Sequence, residues 1–178
     1  MTKVRKILAI SERKLAKKLT LADKVKVGDI GFVYASPNSI ILSVIAYHTQ
    51  GYYSHCFQVI SKNKGEIFIG ESVFPCGIRI IDIEESLRDR IVDIYRPIDK
   101  LNNRAMVRWW VENQGKKYDW LYYIGYILKK FNIQNSQAYT CNEAVIEACY
   151  AGGVKLSGNS PVALSKDRQL EYISTIVV

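Results

Sequence analysis

The stretch Tyr139-Thr140-Cys141-Asn142-Glu143 sets a thiol directly after a threonine, at what the following apolar spacing predicts to be the start of a helix. Thr140 and Glu143 stand at the spacing of a capping box, in which threonine caps the helix and the glutamate three residues on returns the hydrogen bond. Cys141 is then the first helical residue. There the unpaired backbone N–H groups and the helix dipole favour an anion, so the thiol ionises more easily and becomes a stronger nucleophile. The alternative is that Cys141 is a small buried apolar side chain, as most free thiols are. Cys149, two turns into the same helix beside Ala148 and Tyr150, reads as core.

A thiolate nucleophile needs a base, and the chain has two histidines. His48 falls in the last turn of an expected helix over residues 36–51, where an imidazolium gains from the dipole, and that alone accounts for it. His55 opens an expected strand, from which it can reach a neighbouring helix end or simply serve the sheet. A third polar group would orient the base. Glu71 lies within the apolar run Glu66–Phe74, on the same strand face as Ile67, Ile69 and Val73, where a carboxylate needs a partner. A hairpin through residues 61–65 would set Glu71 beside His55. An edge strand would leave it in water, and a one-residue slip would turn it away.

The elements that must position these residues can be read from the spacing. Val4, Ile7, Leu8, Leu15 and Leu19 predict a basic amphipathic helix within residues 1–26, an appendage to one domain over 27–178. A strand follows around residues 30–34, then the helix ending near His48. Apolar runs around 55–60, 66–74, 78–82 and 91–95, separated by turn-rich segments, predict an antiparallel sheet. Residues 101–114, 118–131 and 141 onward predict helices, and 172–178 returns to strand. Strands and helices in separate blocks indicate an α+β fold.

Of the 178 residues, 48% are hydrophobic and 24% charged, the composition of a single globular domain. No run of eighteen apolar residues predicts a membrane span. The N-terminal charges lack the apolar stretch and cleavage site of a secretory signal, so the expected location is the cytoplasm or release without that route. The four cysteines (Cys56, Cys76, Cys141 and Cys149) form no CxxC pair, and with two histidines they give no metal-ligand spacing. No metal or other cofactor is expected. Residues 1–26 hold nine lysines and arginines against Glu12 and Asp23, so they carry nearly all of the net charge of +8. The segment is either a solvated helix packed on the body or a contact to an anionic surface such as lipid head groups or a cell-wall polymer. No nucleic-acid module is present, and sequence-specific binding of nucleic acid is not expected.

Taken in order, GDIGFVY, YYSHCFQVI, IGESV, GIRI, GKKYDW, YTCNEAVIEA and SPVALSKD resemble the circularly permuted branch of the NlpC/P60 papain-like superfamily, which includes bacterial YiiX-like proteins and a poxviral relative. The resemblance runs from Val27 to Arg168. It implies a papain-like α+β fold, an antiparallel sheet packed on the helix that bears the cysteine, with histidine before cysteine in the chain. It also implies that Cys141 is the nucleophile, His55 the base and Glu71 the third group, with Tyr139 lining the substrate site. Where relatives often have Cys-Ser-Glu, this chain has Cys-Asn-Glu. The implied activity is hydrolysis of an amide or peptide bond through a thioacyl intermediate, on an amide-, peptide- or acyl-containing substrate such as a cell-wall peptide or a lipid. Lipid acyltransferases resembling lecithin-retinol acyltransferase carry an Asn-Cys-Glu-His segment that is absent here, so amide hydrolysis is favoured. The aromatic run 118–131 is either an acyl pocket or core. A scaffold without catalysis, working through its basic helix, is the reading from another class.

Overall fold

The computed structural model describes residues 21, 23–35, 52–119 and 138–178. Most of the expected basic helix, the helix ending near His48 and the aromatic helix beyond Asp119 lie outside the described residues.

Strand-forming alternation yields β1 (Ile30–Tyr34), β2 (Tyr53–Asn63), β3 (Glu66–Val73) and β4 (Gly77–Asp82). A short helix α1 (Ile83–Leu87) follows, capped by the Asp82 carboxylate, which accepts from the Glu84 and Glu85 amides. Next come β5 (Ile91–Pro97), α2 (Asn103–Asn113), and the two-residue strands β6 (Lys117–Tyr118) and β7 (Ala138–Tyr139). The chain continues with α3 (Cys141–Ala151), α4 (Pro161–Leu164) and β8 (Leu170–Val177). Six strands form one sheet in the order β4-β3-β2-β1-β5-β8, every neighbouring pair antiparallel. The expected α+β class holds. The helix expected over residues 118–131 does not begin at Tyr118, because Lys117 and Tyr118 pair in parallel with Ala138 and Tyr139.

The sheet is covered on both faces, which explains why β1 reads as a nearly unbroken apolar run. On one face Ile30, Phe32, Cys56 and Ile60 meet Met106 and Trp110 of α2 and the small stripe Cys141, Ala144, Val145 and Ala148 of α3. Small side chains on α3 let its axis approach the sheet closely. Trp110 needs similar room, and Gly70 supplies it: a Cβ on Gly70 would stand 2.4 Å from the indole. The indole N–H donates to Gln58 Oε1 at 2.9 Å and Gln58 Nε2 donates to Cys149 Sγ at 3.1 Å, so this buried amide is satisfied on both ends.

On the opposite face Val33, Phe57, Val59, Ile67, Ile69 and Ile94 pack with Ile83 and Leu87 of α1. Leu21 and Val25, from the end of the basic segment, and Val178 join this second core. The Gly-Asp-Ile-Gly turn at residues 28–31 is fixed from both sides. Arg96 grips Asp29 through Nε at 2.7 Å and Nη2 at 2.8 Å, and the Phe57 ring lies where a Cβ of Gly31 would be, 2.0 Å away.

Candidate active site

Thr140 caps α3 as the spacing predicts. Its side chain accepts from the Glu143 amide, and the Glu143 carboxylate accepts the Thr140 N–H at 2.8 Å. Cys141 is therefore the first residue of α3, at the dipole-positive end, and only 1% exposed. Asn142, where relatives often carry serine, is buried: it donates to the Gly158 carbonyl at 3.0 Å and accepts from Thr140 Oγ1 at 3.1 Å. It ties the cap to the loop after α3.

The placement of Glu71 depends on a β-bulge. Near the hairpin turn Asn63 pairs with Glu66 and Ser61 with Phe68, but after Ile60 the register shifts so that Val59 meets Ile69 and Gln58 meets Gly70. Without that extra residue, Gln58 would stand opposite Glu71 and the carboxylate would share the face of Gln58 and Cys56. With it, Glu71 shares the face of Phe57 and His55. Ladder pairing between β2 and β3 ends at Gln58–Gly70, while β2 stays paired with β1 as far as Tyr53 and β3 with β4 as far as Val73. His55 and Glu71 stand at this unpaired end, with His55 Nε2 2.7 Å from Glu71 Oε2. That leaves Nδ1 clear of Glu71, and the ring also interacts with the Cys141 thiol.

Glu71 is not an edge residue in water, since β3 is interior to the sheet and the carboxylate is 1% exposed. Its other oxygen, Oε1, accepts from Arg79 Nε at 2.9 Å, Arg79 Nη2 at 2.7 Å and Ser86 Oγ at 2.7 Å. Three donors on Oε1 pin the group and turn Oε2 toward the imidazole.

The ionisation pattern follows from these contacts. Burial would push His55 toward neutrality, but its hydrogen bonds to Cys141 and Glu71 and their negative charge outweigh that and raise it to about 10. Burial likewise works against ionised Glu71, yet His55, Ser86 and Arg79 hold it down at about 2. Cys141 lies well below a free thiol because Cys56 hydrogen-bonds to it and, against the effect of burial, His55 stabilises the thiolate. Cys56 moves the opposite way: burial and the neighbouring Cys141 push it well up. Cys149 is raised to about 12 by burial, slightly offset by the Gln58 N–H, and remains an inert core thiol. These shifts favour the charged forms of Cys141 and His55 and the neutral form of the second thiol, Cys56.

Three of the four site residues expected from sequence, Cys141, His55 and Glu71, come together at one end of the sheet. Tyr139 stands in β7 next to Cys141, its ring edge-on to Trp109 at 5.5 Å with Lys116 Nζ 5.3 Å above it, and its carbonyl accepts from Ser72 Oγ at 2.6 Å. Cys56, Arg79 and Ser86 were missed. Arg79 had a signal, because a tight turn at Phe74–Cys76 puts residue 79 directly opposite residue 71. Among the described residues, no three histidines, cysteines or carboxylates gather as metal donors.

No family model matches the sequence, and no curated protein matches it. Among solved structures the chain superposes on the crystal structure of yiiX from Escherichia coli O157:H7, described as a metalloprotein, with a TM-score of 0.69. The match covers 86% of this chain and 98% of that one at 16% identity. The chain has the yiiX fold. The resemblance drawn from seven short segments thus holds at the level of the yiiX backbone, while so low an identity leaves the chemistry to the residues themselves.

Proposed function

We propose that the protein is a cysteine hydrolase that cleaves an amide or peptide bond, with Cys141 as nucleophile, His55 as general base and acid, and Glu71 as the group that orients the imidazole. The 2.7 Å contact between His55 Nε2 and Glu71 Oε2, on a ring that also interacts with the thiol at the helix start, carries this reading. In the proposed cycle the Cys141 sulfur attacks the carbonyl carbon and the carbonyl oxygen becomes an oxyanion. The unpaired amides of the first turn of α3 are suited to stabilise it. The C–N bond then breaks as His55 passes its proton to the leaving amine, giving a thioacyl enzyme. A water molecule that gives a proton to His55 attacks the thioester, releasing the carboxylic acid and the thiol.

The yiiX structure is described as that of a metalloprotein, but the donor set here does not fit a metal at this site. Both Glu71 oxygens are taken by Arg79, Ser86 and His55, and among the described residues the remaining imidazole nitrogen and thiols do not gather into a set of three metal donors. No step is routed through a metal.

The test is the rate of iodoacetamide alkylation of each cysteine against pH, mapped by mass spectrometry. Cys141 should react fast below neutral pH, and His55→Ala should slow it there at least tenfold by raising the thiol toward its ordinary range. A Cys141 that reacts like an unperturbed thiol, or is as silent as Cys149, would sink the proposal.

A further inference from the structure

A cavity of about 330 Å³ borders His55 and Glu71, and its wall holds three arginines, Arg79, Arg88 and Arg90. Arg79 is committed to Glu71. Arg90 donates through Nη2 to the Tyr34 carbonyl at 2.6 Å, which anchors one corner of its fork and leaves its other N–H groups without a partner among the described residues. Arg88 makes no hydrogen bond or ion pair with the described residues. Both come from one tight turn. The Arg90 N–H donates to the Leu87 carbonyl at 3.0 Å, Arg88 sits at φ −47 and ψ 129, and Asp89 has φ 61, as in a type II turn. Asp89 and Arg90 are in turn hydrogen-bonded to Val178, so the turn is fixed, and it sets Arg88 and Arg90 along the cavity while Asp89 does not line it.

The carboxylates of the wall are Glu71, already neutralised by Arg79, and Glu85. Two cationic forks thus face one carboxylate. A second observation points the same way: Ser54, 4% exposed and in the same wall, has a hydroxyl with no hydrogen-bond partner among the described residues. A buried hydroxyl left unsatisfied is costly unless something fills its place. Arginine forks match the planar oxygens of carboxylates and phosphates.

We infer that this cavity, which His55 and Glu71 line, binds an oxyanion group of the substrate, a carboxylate or a phosphate, held by Arg88 and Arg90. The placing of that group within a substrate rests on the hydrolase reading; the binding of the anion does not.

The experiment uses the full chain carrying Cys141→Ala, so that no turnover interferes, and measures binding by calorimetry. The probes are succinanilic acid, its neutral primary amide, and phenyl phosphate. The acid or the phosphate should bind at least tenfold tighter than the neutral amide, and whichever binds identifies the oxyanion. Arg88→Gln and Arg90→Gln should each remove most of that preference. Lys155→Gln, which deletes a charge that does not line the cavity, should keep it. Arg88 is exposed at a turn, so its variant tests the site without risk to the core. Equal affinity for all three probes overturns the inference, and so does a preference that falls as much in Lys155→Gln as in Arg88→Gln. An anion preference alongside an unreactive Cys141 would leave the cavity standing and remove the hydrolase. A reactive Cys141 with no anion preference would do the reverse.

Discussion

At the scale of single residues, Glu71 links the charge pattern of the site to stability. Its carboxyl lies at about 2 in the folded chain, below its usual 4.5, so its contribution is present above pH 4.5 and lost as pH falls toward 2. The shift corresponds to roughly 3 kcal/mol at most. His55 has the opposite sign, contributing below its ordinary value of 6.5 and losing that contribution as pH rises through about 10. Thermal melts of the wild type should therefore fall on both sides of a plateau between about pH 4.5 and 6.5. Glu71→Gln should melt lower within the plateau and show a flattened acid limb between pH 4.5 and 2. A variant that keeps the wild-type acid limb would show that other carboxylates set it. Arg79, 32% exposed, can turn to water when the carboxylate is gone, which limits the loss to a charge-assisted contact of about 2 kcal/mol.

At the scale of elements, alternation and turn residues were enough to read β1 to β5 and β8, and the capping pattern at Thr140 was enough to start α3 at Cys141. What the residues could not disclose was the extra residue at Ile60. Nothing in Val59-Ile60-Ser61 marks a bulge, because all three side chains suit a regular strand, yet it decides which face Glu71 joins. Arg79 and Ser86 were hidden for a different reason: their role appears only once β3 is known to be interior and Glu71 buried. Cys56 escaped because its neighbour across the sheet face is a helix start 85 positions along the chain, beyond the reach of local spacing. The Gly31 contact offers a test of the packing beneath the site. Gly31→Ala should destabilise the chain by about 1–3 kcal/mol in a denaturant titration, because the new methyl meets the Phe57 ring. Adding Phe57→Leu should recover part of that loss. Strict additivity of the two changes would mean that the ring is not what excludes the methyl.

At the scale of the whole molecule, most of the net charge lies in the first segment of the sequence. Residues 1–20 hold seven of the nine cations of the basic segment, whereas Leu21 and Val25 are buried in the second core. A chain shortened to begin after residue 20 should therefore keep its melting temperature to within a few degrees. The proposal that residues 1–26 contact an anionic surface predicts that the full chain binds vesicles rich in anionic lipid in a salt-sensitive way and that the shortened chain does not. Unchanged vesicle binding in the shortened chain would move the anionic contact to the body, where the arginine cavity is the first place to look.

The edge-on contact of Trp109 with Tyr139 has an optical consequence. Its indole meets the ring two residues before Cys141, while Trp110 next to it is fully buried, its N–H held by Gln58. In the proposed cycle, acylation of Cys141 would therefore perturb Trp109 more than Trp110, and intrinsic emission, to which Trp120 also contributes, would report it in real time without an attached label.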